Sequence, residues 1–168
     1  VHALQLANEA SGKDSSLVRA PILKDYLLEQ TVLPQDTNDK NILVPIIQAL
    51  AEKIAFQLRK RKQIAKKLML EIHYIDGYSS NKSASIDFLD DISISKVCMK
   101  LFFKANTRRI SVRSILFNVS QFKPYVEQKN LFFIPESRNM KISKVIEKVR
   151  LKYGVKSIKR ANVLQALG

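Results

Sequence analysis

The apolar residues of this chain recur with two different periods, one typical of helices and one typical of strands. From about residue 42 to residue 62 they return every three or four positions, which predicts an amphipathic helix with Pro45 in its first turn. From residue 64 to residue 75 they alternate with polar residues, which predicts a half-buried strand. One face of that strand holds Leu68, Leu70, Ile72 and Tyr74, and the other holds Lys67, Met69, Glu71 and His73.

The same reasoning predicts six further elements. They are helices at 1–10, 93–105 and 142–153, and strands at 26–33, 83–89 and 109–119. Turn and cap residues separate these segments. Pro34 ends the first strand, Asp76 and Gly77 mark a hairpin turn, and Gly154 closes the last helix.

The order of these elements predicts the fold class. The apolar residues of the last strand change phase near Arg113 and Ser114, so a bulge is expected there. The order is strand, helix, strand, strand, helix, strand, followed by a helical tail. It predicts an α+β fold, in which two helices pack on one face of a four-stranded sheet and leave the other face open.

The amino-acid composition, and above all the net charge, indicates which kind of molecule the protein binds. The chain has 168 residues, of which 46% are hydrophobic, and 29 Lys and Arg against 15 Asp and Glu give a net charge of +14. Such a surface favours a polyanion, either nucleic acid or an anionic membrane. The basic residues of the helix at 42–62 crowd one end of it, unlike those of a membrane-surface helix, and no apolar run reaches the ~18 residues of a membrane span. We therefore expect no membrane partner.

Neither a metal site nor a catalytic group is expected. One cysteine, Cys98, excludes an intrachain disulfide, and with only two histidines it cannot build a zinc site. Asp87, Asp90 and Asp91 precede a helix, where carboxylates favour the N-terminus, and their spacing lacks the glycine of a calcium loop. No nucleophile and base have a usable spacing, and no glycine cluster forms a phosphate loop.

The positive charge is concentrated in three runs. Residues 53–67 hold seven basic groups and no acid, residues 100–113 hold five and no acid, and residues 138–160 hold nine and one acid. Solvated helix ends would explain one or two cations per helix, but not runs of this length. The first two runs straddle helix-to-strand junctions, so we expect them to converge on one edge of the sheet. Few aromatic residues are interleaved, which favours phosphate contact over base stacking.

Three segments of the chain match the pattern of a known family. Two of them are the run LLEQTVLPQDTNDKNILVPIIQALAEKIAFQLRKRKQIAKKLMLEIHYIDG and the segment RRISVR, residues 108–113. They resemble the first half and the final strand of the little-finger domain of the Y-family DNA polymerases, the translesion enzymes of the DNA polymerase IV and UmuC type. The stretch HALQLANEASGKDSSLV resembles the end of the thumb domain and the start of the tether. The resemblance covers nearly the whole chain.

The resemblance implies a domain that binds the duplex of template and primer during lesion bypass, and not an enzyme by itself. The catalytic acids and magnesium ions of the family belong to a palm domain upstream, so no cofactor is expected here. It implies a division into 1–18 (end of thumb and tether), 19–120 (little finger) and 121–168 (clamp-binding-like segment and basic helical tail). A monomer in the bacterial cytoplasm, associated with the nucleoid, is expected.

The basic runs and the matching strand positions together give the predicted DNA contacts. These are Arg59, Arg61, Lys66, Lys67, Lys82, Arg108, Arg109 and Arg113. The hydroxyls of the hairpin, Ser79, Ser80, Ser83 and Ser85, would also donate to phosphate.

A second motif follows the last strand. QKNLFF, residues 128–133, resembles the peptide by which these polymerases bind the sliding clamp, with Lys129 where an aliphatic residue is usual. Leu131 and Phe132 would fill an apolar pocket while Gln128 forms a hydrogen bond at its rim. The alternative is that these apolar residues pack on the domain itself. The tail KVIEKVRLKYGVKSIKRANVL resembles the end of the UmuC-type branch. Two functions therefore stay open: binding duplex DNA, and recruiting a polymerase to the clamp.

Overall fold

The computed structural model of the chain describes residues 2–13, 25–87, 89–125, 138–154, 157, 158 and 161. The elements in chain order are α1 (His2–Ala10), β1 (Tyr26–Thr37), α2 (Lys40–Lys60), β2 (Gln63–Tyr74), β3 (Ser79–Ser85), α3 (Asp91–Ala105), β4 (Val112–Pro124) and α4 (Arg138–Tyr153). The predicted α+β order from β1 to β4 is confirmed.

The four strands form a single antiparallel sheet in the order β1-β4-β2-β3. β4, the last strand in the chain, therefore lies between β1 and β2, and β3 is an edge. Helices α2 and α3 pack against each other and against one face of the sheet. None of the described helices packs on the other face, which agrees with the open face that the sequence predicts.

The core lies between the sheet and these two helices. The predicted alternation of β2 is confirmed, because Leu68, Leu70 and Ile72 are fully buried. α2 is long and apolar enough, by length and composition alone, to cross a membrane. Its apolar stripe is instead the helical side of this core, formed by Leu43, Ile47, Leu50, Ile54 and Leu58.

The bulge predicted in the last strand is present. Ser114 pairs with His73, but Val112 pairs with Tyr74, so Arg113 is an extra residue on β4. The extra residue corrects the phase of the strand. It allows Val112 to be buried together with Ile115, Phe117 and Val119.

The boundaries of β1, β3 and β4 differ from the prediction by three to five residues. β1 continues past Pro34 to Thr37, with a register shift after Val32 that accommodates the proline, which has no N–H to donate. β3 begins at Ser79, four residues earlier than predicted, because its sequence SSNKSAS has no apolar alternation to mark it. β4 begins at Val112 and not at residue 109, so Arg108 and Arg109 precede the strand, and it continues to Pro124, past the predicted domain boundary at residue 120.

Buried ion pairs attach α4 to the helical layer. Arg59 of α2 lies with Nη1 2.7 Å from Oδ1 of Asp91 and with Nε 3.0 Å from Oε2 of Glu147 in α4. Two helical turns earlier on α2, Glu52 accepts a hydrogen bond of 2.6 Å from Nη2 of Arg150. We call these five residues the ionic latch. They make the basic helix α4 a part of the folded domain.

The ends of α3 and α4 follow the predicted capping. Asp90 is the N-cap of α3, where its Oδ2 accepts a hydrogen bond of 2.8 Å from the N–H of Ser93. Gly154, with a φ of 93°, follows the last residue of α4 in the left-handed conformation. Among the described residues, no group of three or more metal-ligating side chains is present.

Candidate nucleic-acid interface

The open face of the sheet presents four residues from each strand, aligned in four rows by the pairing register. From one end to the other, the rows are Tyr26–Ser120–Lys67–Ser85, Leu28–Asn118–Met69–Ser83, Gln30–Leu116–Glu71–Asn81 and Val32–Ser114–His73–Ser79. Most of these side chains are hydroxyls, amides or apolar groups. The middle of the open face is therefore nearly neutral, and its strong charges lie at the two ends of the sheet.

The two basic junctions lie at opposite ends, so the expectation that they converge on one edge is wrong. β2 and β4 are antiparallel, and Gln63 at the start of β2 pairs with Pro124 at the end of β4. The α2–β2 junction is therefore at one end and the α3–β4 junction at the other. His73 lies six positions after Lys67 on β2, which corresponds to about 20 Å along the strand.

The first end, which we call the lysine end, carries five exposed cations. They are Arg61, Lys62, Lys66, Lys67 and Lys123. Asp25 and Asp87 border the same end, but within the described part of the chain no ion pair joins either of them to these cations. Contact with the Lys66 side chain, together with its charge, lowers the pKa of Lys123. Such a shift indicates crowded positive charge.

The second end, which we call the arginine end, consists of Arg108, Arg109 and Arg113, and two of the three are paired. Nη2 of Arg108 lies 2.8 Å from Oδ2 of Asp76, and Nη2 of Arg113 lies 3.5 Å from Oδ2 of Asp36. Much of the charge of this end is therefore already neutralised by carboxylates of the chain.

Arg108 is further held by aromatic rings. Its guanidinium carbon lies 4.5 Å from the ring centroid of Tyr78 and 5.4 Å from that of Tyr74. Its backbone carbonyl accepts a hydrogen bond of 3.1 Å from the side chain of Asn38. Burial, opposed by the charge of Arg108, raises the pKa of Tyr74. These contacts fix the connection between α3 and β4.

Comparison with known proteins identifies the family. Residues 24–131 match the impB/mucB/samB family C-terminal domain. The chain belongs to this family. The match contains the whole sheet together with α2 and α3, and it ends before α4. The resemblance to the C-terminal little-finger domain of the Y-family polymerases is thereby confirmed.

Two relatives from Bacillus subtilis strain 168 extend the similarity over nearly the whole chain. One is named putative UV-damage repair protein UvrX, with 27% identity over 94% of this chain and 39% of that protein. Another is named DNA polymerase IV 1, with 25% identity over 98% of this chain and 42% of that protein. The chain therefore spans about two fifths of the length of these relatives.

A solved structure resembles part of the chain. It is a complex of the β-clamp processivity factor with the little-finger domain of DNA polymerase IV. The structural match has a TM-score of 0.49 and 13% identity, and it covers 65% of this chain and 99% of that chain.

Among the predicted contacts of this family member, Arg59 is not available to DNA. Its side chain is only 6% exposed, and it is the centre of the ionic latch. Nη1 also donates a hydrogen bond of 2.8 Å to the backbone carbonyl of Leu89. The prediction of a DNA contact at Arg59 is therefore wrong, because α4 covers this side chain.

Lys82 lies on the opposite side of the sheet from Lys67. It pairs with Leu70, whose side chain is in the core, so Lys82 is on the helical side of edge strand β3. Ser80 is on the same side, and its hydroxyl donates to the carbonyl of Ala105 in α3. Ser79, Ser83 and Ser85 lie on the open face.

Three relevant residues escaped the sequence prediction. Lys123 was left out because the little finger was expected to end at residue 120. Asp36 and Asp76 were missed because their arginine partners are 77 and 32 residues away along the chain, and no sequence pattern marks such pairs. The clamp-binding prediction, Gln128, Leu131 and Phe132, lies outside the described residues.

Proposed function

We propose that the chain is the non-catalytic DNA-binding domain of a Y-family translesion DNA polymerase, and that it binds the phosphate backbone of the template–primer duplex during repair. The observation that supports this most is the lysine end, an exposed cluster of cations that form no ion pair within the described part of the chain, beside an open sheet face. Hydroxyls of Ser85 and Ser120 flank Lys67 in the same row. Cations and hydroxyls are the groups that bind phosphate without reading sequence.

The chemistry of the proposed parent lies elsewhere. The chain spans about two fifths of its polymerase relatives, which leaves room for a palm domain with magnesium-binding acids upstream. No cofactor is proposed for this chain. Its proposed setting is the bacterial cytoplasm, on the nucleoid, as a monomer.

The proposed contacts are unequal. Arg61, Lys66 and Lys67 at the lysine end are the main set. Arg109, exposed and unpaired among the described residues, and Arg113 form the second set. Lys82 and Arg108 are minor contributors, since Lys82 lies on edge strand β3 opposite Leu70, away from the lysine end, and Arg108 is held by Asp76.

Duplex binding tests this function. The labelled duplex is titrated with the chain at several salt concentrations, and fluorescence anisotropy gives the slope of log K against log salt. We expect weak, sequence-independent binding with a slope of about −0.9 per phosphate contacted. The double variant Lys66→Glu and Lys67→Glu should lose most of the duplex affinity. The control variant Lys96→Glu with Lys100→Glu, on exposed positions of α3, should retain much more of that affinity. Equal losses in both variants would contradict the proposed face.

Sliding-clamp docking is a second candidate function, favoured by the sequence QKNLFF. Replacing both Leu131 and Phe132 by alanine should abolish affinity for a purified sliding clamp and leave duplex binding intact. Unchanged clamp affinity would instead favour packing of these residues on the domain.

A further inference from the structure

The turn between β2 and β3 presents two large apolar side chains to solvent at the arginine end. Ile75 is 50% exposed and Tyr78 is 54% exposed. Single exposed apolar residues are common on protein surfaces, so exposure alone says little about function. What distinguishes Tyr78 is that the residues around it hold its ring in one position.

Hydrogen bonds fix the backbone of this turn. The N–H of Tyr74 donates to the carbonyl of Tyr78 at 2.9 Å, and Oδ1 of Asp76 accepts a hydrogen bond of 3.2 Å from the N–H of Tyr78. The N–H of Ile75 donates to the carbonyl of Ser111 at 3.0 Å, which joins the turn to the segment before β4. The backbone position of Tyr78 is therefore set before any partner binds.

A guanidinium group supports the Tyr78 ring from one side. The guanidinium carbon of Arg108 lies over this ring, 4.5 Å from its centroid, and it lies 5.4 Å from the ring centroid of Tyr74. The two ring centroids are 6.1 Å apart. With these three separations, Arg108 and Tyr74 lie toward the same side of the Tyr78 ring. The exposed surface of Tyr78 is therefore mainly its opposite face, which is available to a second planar group.

Asp76 makes Arg108 a support for the ring and not a phosphate ligand. Its Oδ2 lies 2.8 Å from Nη2 of Arg108, while its Oδ1 binds the backbone of Tyr78. A guanidinium group that is neutralised in this way has little charge left for a phosphate, but its plane still packs on an aromatic ring. Arg109 and Arg113 are exposed at the same end of the sheet, so they can contact phosphates near this ring.

We propose that the exposed face of Tyr78 stacks on an unpaired base of a single-stranded segment of DNA, beside phosphates that Arg109 and Arg113 contact. Aromatic rings next to cations bind single strands without reading their sequence. Bases inside a duplex are stacked on their neighbours, so an unpaired base is the one that offers a free face. The proposal rests on the proposed function for DNA as the partner. It adds a second form of DNA, bound at the opposite end of the sheet from the lysine end.

Single-strand binding by the full 168-residue chain tests this stacking site. Fluorescence anisotropy is measured with a labelled oligothymidylate, with an abasic strand of the same length and with the duplex. We expect tighter binding to oligothymidylate than to the abasic strand. Tyr78→Ala should lose about 5- to 150-fold in affinity for oligothymidylate, the contribution of one stacked base, and should change duplex affinity by less than about twofold. The matched variant Tyr78→Phe keeps the ring and should retain both affinities.

Intrinsic fluorescence gives a second measurement of the same contact. The chain has five tyrosines and no tryptophan, so its emission comes from tyrosine. Stacking of a base on Tyr78 should quench part of this emission when oligothymidylate is added. In Tyr78→Phe that part of the quenching should disappear although the strand is still bound. Undiminished quenching in this variant would overturn the proposal, even if Tyr78→Ala does not fold.

The outcomes separate this proposal from the proposed function. Equal affinity for oligothymidylate and the abasic strand would overturn the stacking site and leave duplex binding in place. Equal losses of single-strand and duplex affinity in Tyr78→Ala would also overturn it. Unchanged single-strand affinity in Tyr78→Ala, with weaker binding to a purified sliding clamp, would overturn it in favour of a protein contact. Absence of salt-dependent duplex binding by the unmodified chain would instead contradict the proposed function. Circular dichroism shows whether each variant is folded.

Discussion

The lysine end and the arginine end of the sheet look alike in the sequence but differ in the structure. Apart from Lys123, each derives from a run of basic residues at a helix-to-strand junction that contains no acid. At the arginine end, Asp36 and Asp76 neutralise two of three guanidinium groups. At the lysine end, five exposed cations have no ion pair among the described residues.

The difference shows that a run of basic residues in the sequence indicates how much positive charge is present. It does not indicate whether those side chains are free to bind a ligand. Acids from distant parts of the chain decide which cations are free to bind a ligand. Arg59 makes the same point within one run, since it is neutralised by Asp91 and Glu147 while its neighbour Arg61 is exposed. The predictions below test this comparison.

The largest expected effect is on stability, at Arg59. Replacing Arg59 with alanine leaves the buried Asp91 without its closest cation, and breaking a buried pair in this way costs about 3–5 kcal/mol. Urea denaturation measures the loss. The control Arg61→Ala, in the same basic run but exposed, should change stability by no more than about 0.5 kcal/mol. Similar small losses for both variants would mean that the latch contributes little.

Arg108 and Arg109 provide a matched pair at the arginine end. Arg108→Ala removes an ion pair with Asp76 and contacts with two tyrosine rings, which together contribute about 1–2 kcal/mol. Arg109→Ala should have almost no effect on stability but should weaken duplex binding more than Arg108→Ala does. Thermal unfolding and anisotropy give the two rankings, and a reversed order in both would refute the assignment of roles.

Releasing Arg113 should make the arginine end more like the lysine end. In Asp36→Asn the carboxylate that lies 3.5 Å from Arg113 is removed with little change in shape. We expect duplex affinity to rise, by at most the eightfold or so that one phosphate contributes at 0.1 M salt. Asp87→Asn, at the lysine end, releases no ion pair among the residues that the structure describes and should raise affinity less. Equal gains would indicate that only net charge matters.

The smallest expected effect is a pH dependence that belongs to the lysine end. Contact with Lys66 lowers the pKa of Lys123, so Lys123 loses its proton at a lower pH than an ordinary lysine does. Raising the pH from about 7 to about 9.5 should therefore remove part of the positive charge of Lys123 and weaken duplex binding. The loss of affinity should be smaller than the loss of one whole phosphate contact, because the arginines keep their charge over this range. In Lys66→Gln the cause of the shift is absent, and the pH dependence should move to higher pH. An identical profile for both proteins would contradict this origin.

The fold could be predicted from the sequence wherever the buried residues of an element recur at regular spacing. The alternation of β2 and the stripe of α2 gave the right faces, and the phase change near Arg113 located the bulge of β4. β3 was displaced by four residues because an edge strand made of Ser, Asn and Lys has no apolar period. Pro34 lies inside β1 because a register shift accommodates it, which depends on the partner strand and not on local propensity.

The site was predictable in composition but not in arrangement. Lys66 and Lys67 were found because they follow a basic helix end onto a strand with a clear pattern. The separation of the two basic junctions depends on the antiparallel pairing of β2 with β4, which local patterns do not determine. The burial of Arg59 depends on Glu147, 88 residues further along the chain.

The ionic latch bears on where this protein can be cut. The family match ends at residue 131, whereas Glu147 and Arg150 come from a helix that begins at Arg138. A fragment trimmed to the family boundary would expose Arg59 and Asp91 to solvent on the outer side of the helical layer. The packed structure therefore extends beyond the residues that the family match covers, and biochemical work on the isolated domain should retain the chain through Gly154.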